Sequence, residues 1–318
     1  MPGIRCPISI IIPVYNNEKT LADCLGSILN QGSEEFEIIL INNGSIDGSV
    51  GICEDYRAKD HRVKVIHMEH DAAAVAYNKG LEAAIGKYVH FASASDYIKE
   101  SAFKKISPFL LQNLDVIFLE AATKFWDVSH TNALRRLNRE VPNKLWDKLI
   151  RRELLTKDDI WFSTGAIWEI ADFCIKLYLH AATYGTIDFP YYHRHEESLD
   201  NNIEAAFGKI IMTLSKWTGP AESAYEEYGT IIHNWMAIMY CDLLIPMFSR
   251  LPPDARKSYK PGMMDFQWLL DTDKTRKNQT VKILFSVFGP LITSKFVQYK
   301  NRYVSSSKAY GIGQVIHK

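Results

Sequence analysis

The first hundred residues alternate short β-branched runs with helix-forming segments, and this alternation most constrains the fold. Four runs have the length and apolar character of buried strands: 8–12, 36–41, 63–67 and 88–91. Between them, the sequence favours a helix capped by Asn16 or Asn17, then helices at about 49–59 and 72–84. This order predicts an α/β fold, a mostly parallel sheet with helices on both faces.

Ligands of such sheets bind beyond the carboxyl ends of the strands, where the order of the strands reverses. Four segments of polar or small residues follow the four predicted strands: 13–17, 42–47, 70–73 and 92–96. These segments predict a binding cleft at one edge of the sheet.

The pattern changes near residue 200, beyond which no strand is predicted. Helices are predicted at 203–216, 221–247, 266–270 and 281–296, and loops at 252–253 and 260–262. The chain is therefore predicted to have two domains, a ligand-binding α/β domain at 1–200 and a helical region at 201–318.

Composition excludes several classes of protein. The 37 basic residues equal the 37 acidic ones, which argues against a general nucleic-acid binder. Five scattered cysteines predict neither a disulfide framework nor a zinc site, and they suit a reducing cytoplasm. No signal peptide is recognised at the start of the sequence. The apolar stretch 231–248 contains His233, Asn234 and Asp242, so it is interpreted as a buried or interfacial helix.

The segment 281–303 mixes aromatic with basic residues and is interrupted by Gly289 and Pro290. As a helix it suits the surface of an anionic membrane, where a lipid-linked acceptor would be found. Packing against the rest of the chain, or against a second copy, is the alternative. The expected location is cytoplasmic, with peripheral contact at the inner face of the cell membrane.

Several stretches resemble family 2 glycosyltransferases, in the order in which that family has them. The first three are ISIIIPVYNNEK at 8–19, CLGSILNQ at 24–31 and FEIILINNGSIDGS at 36–49. The later ones are GKYVHFASASDYI at 86–98, WDKLIRRELL at 146–155 and PYYHRHEES at 190–198. The last two are similar to landmarks of the bacterial capsule and lipopolysaccharide branch of the family.

This resemblance implies a nucleotide-binding sheet of the GT-A type (Rossmann-like). The activity that it implies is transfer of a sugar from a nucleotide-sugar to an acceptor hydroxyl, with inversion at the sugar carbon. Such chemistry needs a base for the acceptor proton and a clamp for the nucleoside. It also needs stabilisation of the departing phosphate, for which the family commonly uses a divalent cation held by carboxylates.

The sequence departs from the family where carboxylates are expected. The paired aspartates after the second strand are Asn42 and Asn43, and the Asp-x-Asp-Asp stretch after the fourth strand is replaced by 93–96, Ser-Ala-Ser-Asp. The Glu-Asp catalytic pair aligns with Glu169 and Ile170. Tyr77 stands where the family usually has arginine.

The resemblance assigns candidate roles residue by residue. The donor-binding candidates are Pro13, Tyr15, Asn43, Ser45, Asn78, Ser93, Ser95 and Asp96. The candidates for binding phosphate or acceptor are Trp146, Lys148, His193, Arg194 and His195. Glu169 and Asp172 are the candidate bases, with His70 as the substitute. Asp96 is the one remaining carboxylate for Mg²⁺ or Mn²⁺, which prefer several anionic oxygens, so a divalent cofactor is weakly supported.

Two interpretations stay open at this point. The first is an active transferase whose donor needs no metal, such as a CMP-linked sugar, acting on a saccharide or lipid-linked acceptor in surface polysaccharide or glycolipid synthesis. The second is a catalytically degenerate relative that serves as a binding or scaffold subunit.

Overall fold

The computed structural model describes residues 7–32, 36–119, 126–129, 133–134, 137, 144–165, 168–187, 189, 191–193, 203–219, 228–272 and 276–304. The chain divides into two compact units. The first consists of Met1–Ala133, Asn143–Thr164 and Lys176–His195, and the second of Leu134–Pro142, Gly165–Ile175 and Glu196–Lys318. The segment Gly165–Ile175 belongs to the second unit although it precedes residue 200. The predicted division into a ligand-binding domain at 1–200 and a helical region at 201–318 stays a prediction.

The first unit is built on an eight-stranded mixed sheet. Its strands are β1 (Ile8–Val14), β2 (Phe36–Asn43), β3 (Val63–Met68), β4 (Tyr88–Phe91), β6 (Val116–Leu119), β7 (Trp126–Ser129), β8 (Lys148–Arg151) and β9 (Thr183–Ile187). They lie in the order β3-β2-β1-β4-β8-β6-β9-β7, and the first four are parallel. Strands β5 (Tyr97–Ile98) and β10 (Tyr192–His193) form a separate antiparallel pair.

The order of the strands reverses beside β1. The chain runs outward from β1 through β2 to β3 and then returns to the other side of β1 as β4. Both neighbours of β1 are parallel to it, with Ile8 opposite Phe36 on one side and Tyr88 on the other. The crevice beyond the carboxyl ends of β1 and β4 is therefore the switch point at which ligands of such sheets bind.

The four strands that the sequence predicts in the first hundred residues are all present, because their apolar residues fill the core. In β2 every residue is buried, and Ile10, Ile11 and Ile12 of β1 have no exposed surface. Five helices accompany these strands: α1 (Leu21–Leu29), α2 (Ser49–Lys59), α3 (Ala73–Ala83), α4 (Ala102–Leu110) and α5 (Arg152–Lys157).

The start predicted for the first helix is wrong. Neither asparagine caps the helix, because Asn16 Oδ1 accepts from the amide of Ile46 and Asn17 Oδ1 accepts from the amide of Tyr15, both at 2.9 Å. The backbone carbonyl of Asn17 accepts hydrogen bonds from the amides of Thr20 and Leu21, at 3.1 and 3.0 Å. This turn delays the helix to Leu21, which leaves Tyr15, Asn16 and Asn17 in the loop beyond β1.

Helices make up the described part of the second unit. After α6 (Glu169–His180), which begins in this unit, come α7 (Ile203–Thr218), α8 (Gly229–Met239), a π-helical turn (Tyr240–Leu244), α9 (Ile245–Phe248), α10 (Pro253–Asp265), a 3₁₀ helix (Gln267–Asp271) and α11 (Arg276–Val304). The prediction of a helix at 203–216 is confirmed. The helix predicted at 221–247 begins at Gly229 among the described residues, and a π-helical turn follows it.

The loops predicted at 252–253 and 260–262 are wrong in part, because α10 contains Pro253 and Pro261. A proline in the first turn costs no helical hydrogen bond, since the amides of that turn have no partner within the helix. Pro261 lies on the exposed side of α10. A long helix is also found where 281–296 is predicted, and Gly289 interrupts it with φ of 71° and ψ of 177°.

Two helical stretches are long and apolar enough, by length and composition alone, to cross a membrane. They are Gly229–Phe248 and Gln279–Tyr299, each with a mean hydropathy of 1.4. The first is 72% buried within the protein, which agrees with its interpretation as a core helix, whereas the second is only 33% buried.

Buried His90 of β4 generates a prediction for stability. Its Nδ1–H donates to the carbonyl of Lys148 at 3.0 Å, and burial lowers the pKa of His90 from 6.5 to about 4. The unfolded chain therefore binds a proton between these pH values that the folded protein does not bind. We expect the free energy of unfolding to fall by about 3 kcal/mol as the pH drops from 6.5 to 4.

Urea unfolding at several pH values, on the native protein and on His90→Gln, measures this dependence. The variant should lose most of the slope, whereas His61→Gln, which changes an exposed histidine, should keep it. Equal slopes in the native protein and in His90→Gln would contradict the prediction.

Candidate functional site

The loops beyond β1 and β2 are joined by hydrogen bonds between the backbone of one and the side chains of the other. The amide of Asn16 donates to Ser45 Oγ at 3.2 Å, and Asn16 Oδ1 accepts from the amide of Ile46 at 2.9 Å. Glu18 Oε2 accepts from the amide of Gly48 at 2.8 Å. Pro13 lies in β1, and Ser45 Oγ also reaches the carbonyl of Val14 at 3.4 Å. Hydrogen bonds therefore join the candidates Pro13, Tyr15 and Ser45 through the loops that follow β1 and β2.

Asn43, at the end of β2, holds the loop that follows β3. Its Nδ2 donates to the carbonyl of Asp71 at 2.8 Å, and its Oδ1 accepts from the amide of the same residue at 2.9 Å. This double contact needs a donor and an acceptor on one side chain, which an amide has and a carboxylate lacks. Asparagine in place of the family's aspartate therefore positions the loop from Glu69 to Ala72.

Asn42 is engaged in a similar way. Its Oδ1 accepts from the amide of Ser45 at 3.2 Å, and its Nδ2 lies 3.1 Å from His67 Nδ1. His67 Nε2 in turn lies 2.8 Å from Glu54 Oε1. Both ring nitrogens of His67 therefore have a side-chain partner. The polar atoms of Asn42 therefore tie β2 to β3 and to the turn after β2.

Tyr15 and His70 form an aromatic pair at the carboxyl end of β1. Their ring centroids are 4.2 Å apart and the rings are inclined by 25°, so they are stacked. Nδ1 of His70 bonds the carbonyl of Asn43 at 3.1 Å, which fixes the imidazole, and Tyr15 remains 45% exposed. An exposed aromatic face held in place by a second ring suits the stacking of a nucleobase.

Gly44 makes room for this pair. Its φ is 71°, and a Cβ atom there would lie 2.6 Å from the backbone nitrogen of His70. Only glycine combines that backbone conformation with so close an approach.

Asn78 of α3 repeats the contact pattern of Asn43. Its Nδ2 donates to the carbonyl of Phe162 at 2.9 Å, and its Oδ1 accepts from the amide of Phe162 at 3.0 Å. The preceding residue, Tyr77, stacks on the Phe162 ring with centroids 4.7 Å apart and meets Phe91 edge-on. Where the family usually has arginine, this chain therefore has an aromatic cluster at the end of β4.

Ser93, Ser95 and Asp96 form a compact turn after β4. The hydroxyl oxygens of the two serines are 2.8 Å apart, and the amide of Asp96 donates to the carbonyl of Ser93 at 3.2 Å. The Cys24 thiol also donates to the carbonyl of Ser93 at 3.3 Å. Burial, and secondarily the charge of Asp96, raise the pKa of that thiol to about 12, so Cys24 is a neutral donor.

These residues do not fit a site for Mg²⁺ or Mn²⁺. Hard cations prefer several anionic oxygens, but this turn offers one carboxylate, that of Asp96, and two neutral hydroxyls that contact each other. In the described parts of the chain, no three histidine, cysteine, aspartate or glutamate side chains are grouped as metal ligands.

Trp146 lies just before β8, and Lys148 is the first residue of β8. Trp146 is half-buried and packs against the core of the sheet. Lys148 is fully buried: its ammonium group contacts the carboxylate of Asp147 and the carbonyl of Lys144, and it lies 5.7 Å from the centroid of the Phe118 ring. Lys148 thus fixes the segment that carries Trp146 and has no surface with which to meet a phosphate.

The backbone of His193 lies close to Asp96 in the fold. Strand β10 pairs with β5 so that His193 stands opposite Tyr97, the residue after Asp96. The next candidates, Arg194 and His195, lie outside the described residues. The register therefore places the start of the predicted cationic segment beside the turn after β4.

The two candidate bases belong to the second unit, at the start of α6. Asp172 is fully buried, and its Oδ1 accepts from Lys216 Nζ at 2.5 Å and from Trp217 Nε1 at 3.0 Å. Glu169 lies 3.5 Å from Lys209 Nζ, and 13% of its side chain is exposed. Asp172 therefore joins α6 to α7, whereas Glu169 keeps some access to solvent.

Sequence patterns gave no signal for two of these arrangements. The double contacts of Asn43 and Asn78 join residues that are 28 and 84 positions apart, so periodicity could not reveal them. The stack of Tyr15 on His70 could be anticipated only in part, since both residues follow strands at the same edge of the sheet.

The contacts of Asn43 predict that its replacement by aspartate destabilises the protein. In Asn43→Asp the donor to the carbonyl of Asp71 is lost, and a carboxylate oxygen faces that carbonyl. We expect the free energy of unfolding to fall by about 1–3 kcal/mol, the cost of an unsatisfied buried group.

Urea unfolding at pH 7 measures the change. Asn113→Asp introduces the same charge at an exposed position and should alter stability by less than about 0.5 kcal/mol. A neutral or stabilising effect of Asn43→Asp would show that the amide contact is unimportant.

The family model described as Glycosyl transferase family 2 matches residues 9–170, just over half of the chain. EpsH of Bacillus subtilis (strain 168), which is named as a glycosyltransferase, is 28% identical over 205 residues that cover 58% of this chain and 60% of EpsH. EpsJ of the same organism, an uncharacterized glycosyltransferase, is 39% identical over 111 residues that cover 35% of this chain and 32% of EpsJ. The chain therefore matches less than two thirds of the length of either relative.

The fold is similar to that of S. aureus TarS 1-349, whose crystal structure is known in complex with UDP-GlcNAc. The TM-score is 0.67 and the identity 20%, and the match covers 93% of this chain and 92% of TarS 1-349. The predicted α/β fold of the GT-A type, with a helical C-terminal region, is confirmed. Because the family model matches half of its length, the chain belongs to glycosyl transferase family 2.

Proposed function

We propose that the chain transfers a sugar from a nucleotide-sugar to an acceptor hydroxyl, with inversion, in the synthesis of a surface polysaccharide or glycolipid. The observation that carries this proposal is the exposed Tyr15–His70 stack at the switch point of a family 2 sheet. The rings offer a platform for a nucleobase, and the hydrogen-bonded loops after β1 and β2 hold that platform in place.

We also propose that transfer needs no divalent cation. The turn after β4 offers one carboxylate, so the charge of the leaving phosphate must be offset by hydrogen bonds and basic side chains. The segment from His193 to His195 supplies such side chains in the sequence, and its start pairs with the strand that follows Asp96. A CMP-linked sugar, whose leaving group is a monophosphate, has less charge to offset than a nucleoside diphosphate.

Glu169 is the better candidate for the base. A general base must reach the acceptor proton, and a carboxylate is the family's usual group for this step. Both Nζ of Lys216 and Nε1 of Trp217 bind Oδ1 of Asp172, which has no exposed surface. Glu169 has exposed surface and a looser contact, with Lys209.

The acceptor is proposed to be a saccharide or a lipid-linked saccharide. A lipid-linked acceptor requires the enzyme to work at a membrane surface, so peripheral contact with the membrane is part of this proposal. The similarity to EpsH, EpsJ and TarS supports the family and the fold. The acceptor is proposed for this chain separately.

A catalytically degenerate scaffold is the second candidate, and one observation favours it. Asn42, Asn43 and Asn78, at or beside the family's donor-binding positions, direct their amide groups to other parts of the protein. Such contacts stabilise the fold whether or not a donor binds.

A panel of UDP-, GDP-, CMP- and dTDP-linked sugars tests the proposed function. We expect one nucleotide class to bind in calorimetry and to turn over equally well with EDTA and with Mn²⁺. Tyr15→Ala should weaken binding about tenfold through loss of the stack, whereas Tyr15→Phe, which keeps the ring, should bind normally.

Each alternative has its own outcome in this experiment. Loss of all turnover in EDTA contradicts metal-independent transfer. Absence of binding across the panel favours the scaffold. Normal donor binding by Tyr15→Ala shows that the stack is not the nucleobase platform.

Replacing each candidate base separates catalysis from folding. Glu169→Gln should lower kcat by at least about a hundredfold, as loss of a general base does, with little change in stability. Asp172→Asn should lower the free energy of unfolding by about 1–3 kcal/mol, because it removes the charge that pairs with the partly exposed Lys216, and the folded fraction should keep its kcat.

Steady-state rates at saturating donor, together with urea unfolding of both variants, decide the assignment. If Glu169→Gln retains full activity while folded Asp172→Asn is inactive, the roles are reversed.

A further inference from the structure

Helix α11 exposes a group of large apolar side chains and buries two polar ones. Its exposed large apolar residues include three before the break at Gly289 (Ile283, Val287 and Phe288) and three after it (Leu291, Ile292 and Phe296), whereas Val281, Phe285 and Val297 are buried. Two polar residues in its second half, Thr293 and Ser294, have no exposed surface. In a helix that faces water the apolar residues point to the core, so this arrangement implies that something other than water covers the outer face.

Hydrogen bonds explain how the polar residues can face inward. Ser294 Oγ donates to the carbonyl of Pro246 at 3.1 Å and accepts from the amide of Ser249 at 2.9 Å. Thr293 Oγ1 donates to the carbonyl of Gly289 at 2.8 Å. These small satisfied side chains let α11 approach the end of α9 closely, and the bulky apolar residues remain on the outer face.

The charge of the sequence is strongly asymmetric in this region. Residues 274–318 contain nine of the 37 lysines and arginines and none of the 37 aspartates and glutamates. A long, basic segment without acidic residues is attracted to a negatively charged surface. The exposed apolar residues of α11 and the basic composition of the sequence that contains them together match the interface of a bilayer that contains anionic lipid.

The packing of α11 favours a helix that lies on the membrane rather than one that crosses it. Val281, Phe285 and Val297 are buried within the second unit, so one side of the helix already has protein neighbours. Gly289, with φ of 71°, also interrupts the helix near its middle. A crossing helix would have to give up these contacts.

We propose that the outer face of α11 docks on the surface of an anionic lipid bilayer. This inference rests on the proposed function, since it supplies the surface through which the enzyme would reach a lipid-linked acceptor. Ile283, Val287, Phe288, Leu291, Ile292 and Phe296 enter the interface between headgroups and acyl chains, and the basic residues contact lipid phosphates.

Charge argues against a second copy of the chain as the occupant. A two-fold interface brings the same patch of both subunits together. Two basic segments that lack acidic residues would then face each other, which is unfavourable. An anionic bilayer meets the same face with opposite charge.

Vesicle flotation of the full chain, without donor, tests the proposal. We expect binding to vesicles of phosphatidylglycerol and phosphatidylcholine, and little binding to pure phosphatidylcholine. Phe288→Asp and, separately, Ile292→Asp should each lower the affinity for vesicles at least about tenfold, because each replaces an apolar side chain that the bilayer would cover. The double variant Lys295→Glu, Lys300→Glu should also lose at least about tenfold, and more at low salt.

Leu111→Asp is the matched control, since Leu111 is an apolar residue, 76% exposed, in the first unit. It should bind vesicles as the native protein does, and circular dichroism should show that all variants are folded. Equal binding of Phe288→Asp, Ile292→Asp and the native protein overturns the proposal. So does a dimer in sedimentation velocity that Phe288→Asp dissociates, in a protein that does not bind vesicles.

A separate measurement of donor binding distinguishes failure of this proposal from failure of the proposed function. A protein that floats with anionic vesicles but binds no nucleotide-sugar supports the docking surface and contradicts the transferase. A protein that binds donor and turns it over but does not bind vesicles supports the transferase and contradicts the docking surface.

Discussion

The double hydrogen bond between the amide of Asn43 and the backbone of Asp71 is the contact on which the rest of the candidate site depends. It fixes the loop beyond β3 against the end of β2, at 2.8 and 2.9 Å. His70 lies in that loop, and its ring stacks on Tyr15 at the end of β1. Without this contact, the loop would lose the link that brings three strand ends to one edge of the sheet, and the aromatic platform would lose its support.

The same contact gives a physical meaning to the loss of carboxylates. An aspartate at position 43 could accept from the amide of Asp71 but could not donate to its carbonyl. Asn78 makes an equivalent pair of bonds with Phe162, and Asn42 bonds both Ser45 and, across the sheet, His67. The neutral residues thus join loops and strands within the first unit, so restoring one family aspartate alone would break contacts before it rebuilt a charged site.

The sequence predicted the parts of the fold that depend on local pattern. Four strands and the helices between them followed from β-branched runs and helical periodicity, because those residues fill the core at regular spacing. The predicted start of α1 was wrong because Asn16, which has a positive φ, bonds Ser45 and Ile46 of another loop instead of capping the helix. The ion pair of Asp172 with Lys216 was equally out of reach, since it joins residues 44 positions apart. Long-range pairs of this kind determine which candidate site residues are exposed, and the local sequence pattern does not predict such pairs.

The overall neutrality of the chain conceals an uneven distribution of charge. Residues 1–273 contain all 37 acidic residues and 28 of the 37 basic ones, so the excess of basic over acidic residues lies in the last 45 residues. Electrostatic attraction falls off within about 8 Å at physiological salt, so the local charge of the sequence that contains α11 matters more than the net charge of the protein. A balanced composition therefore argues against a general polyanion binder and remains compatible with a single basic, apolar face that binds a membrane.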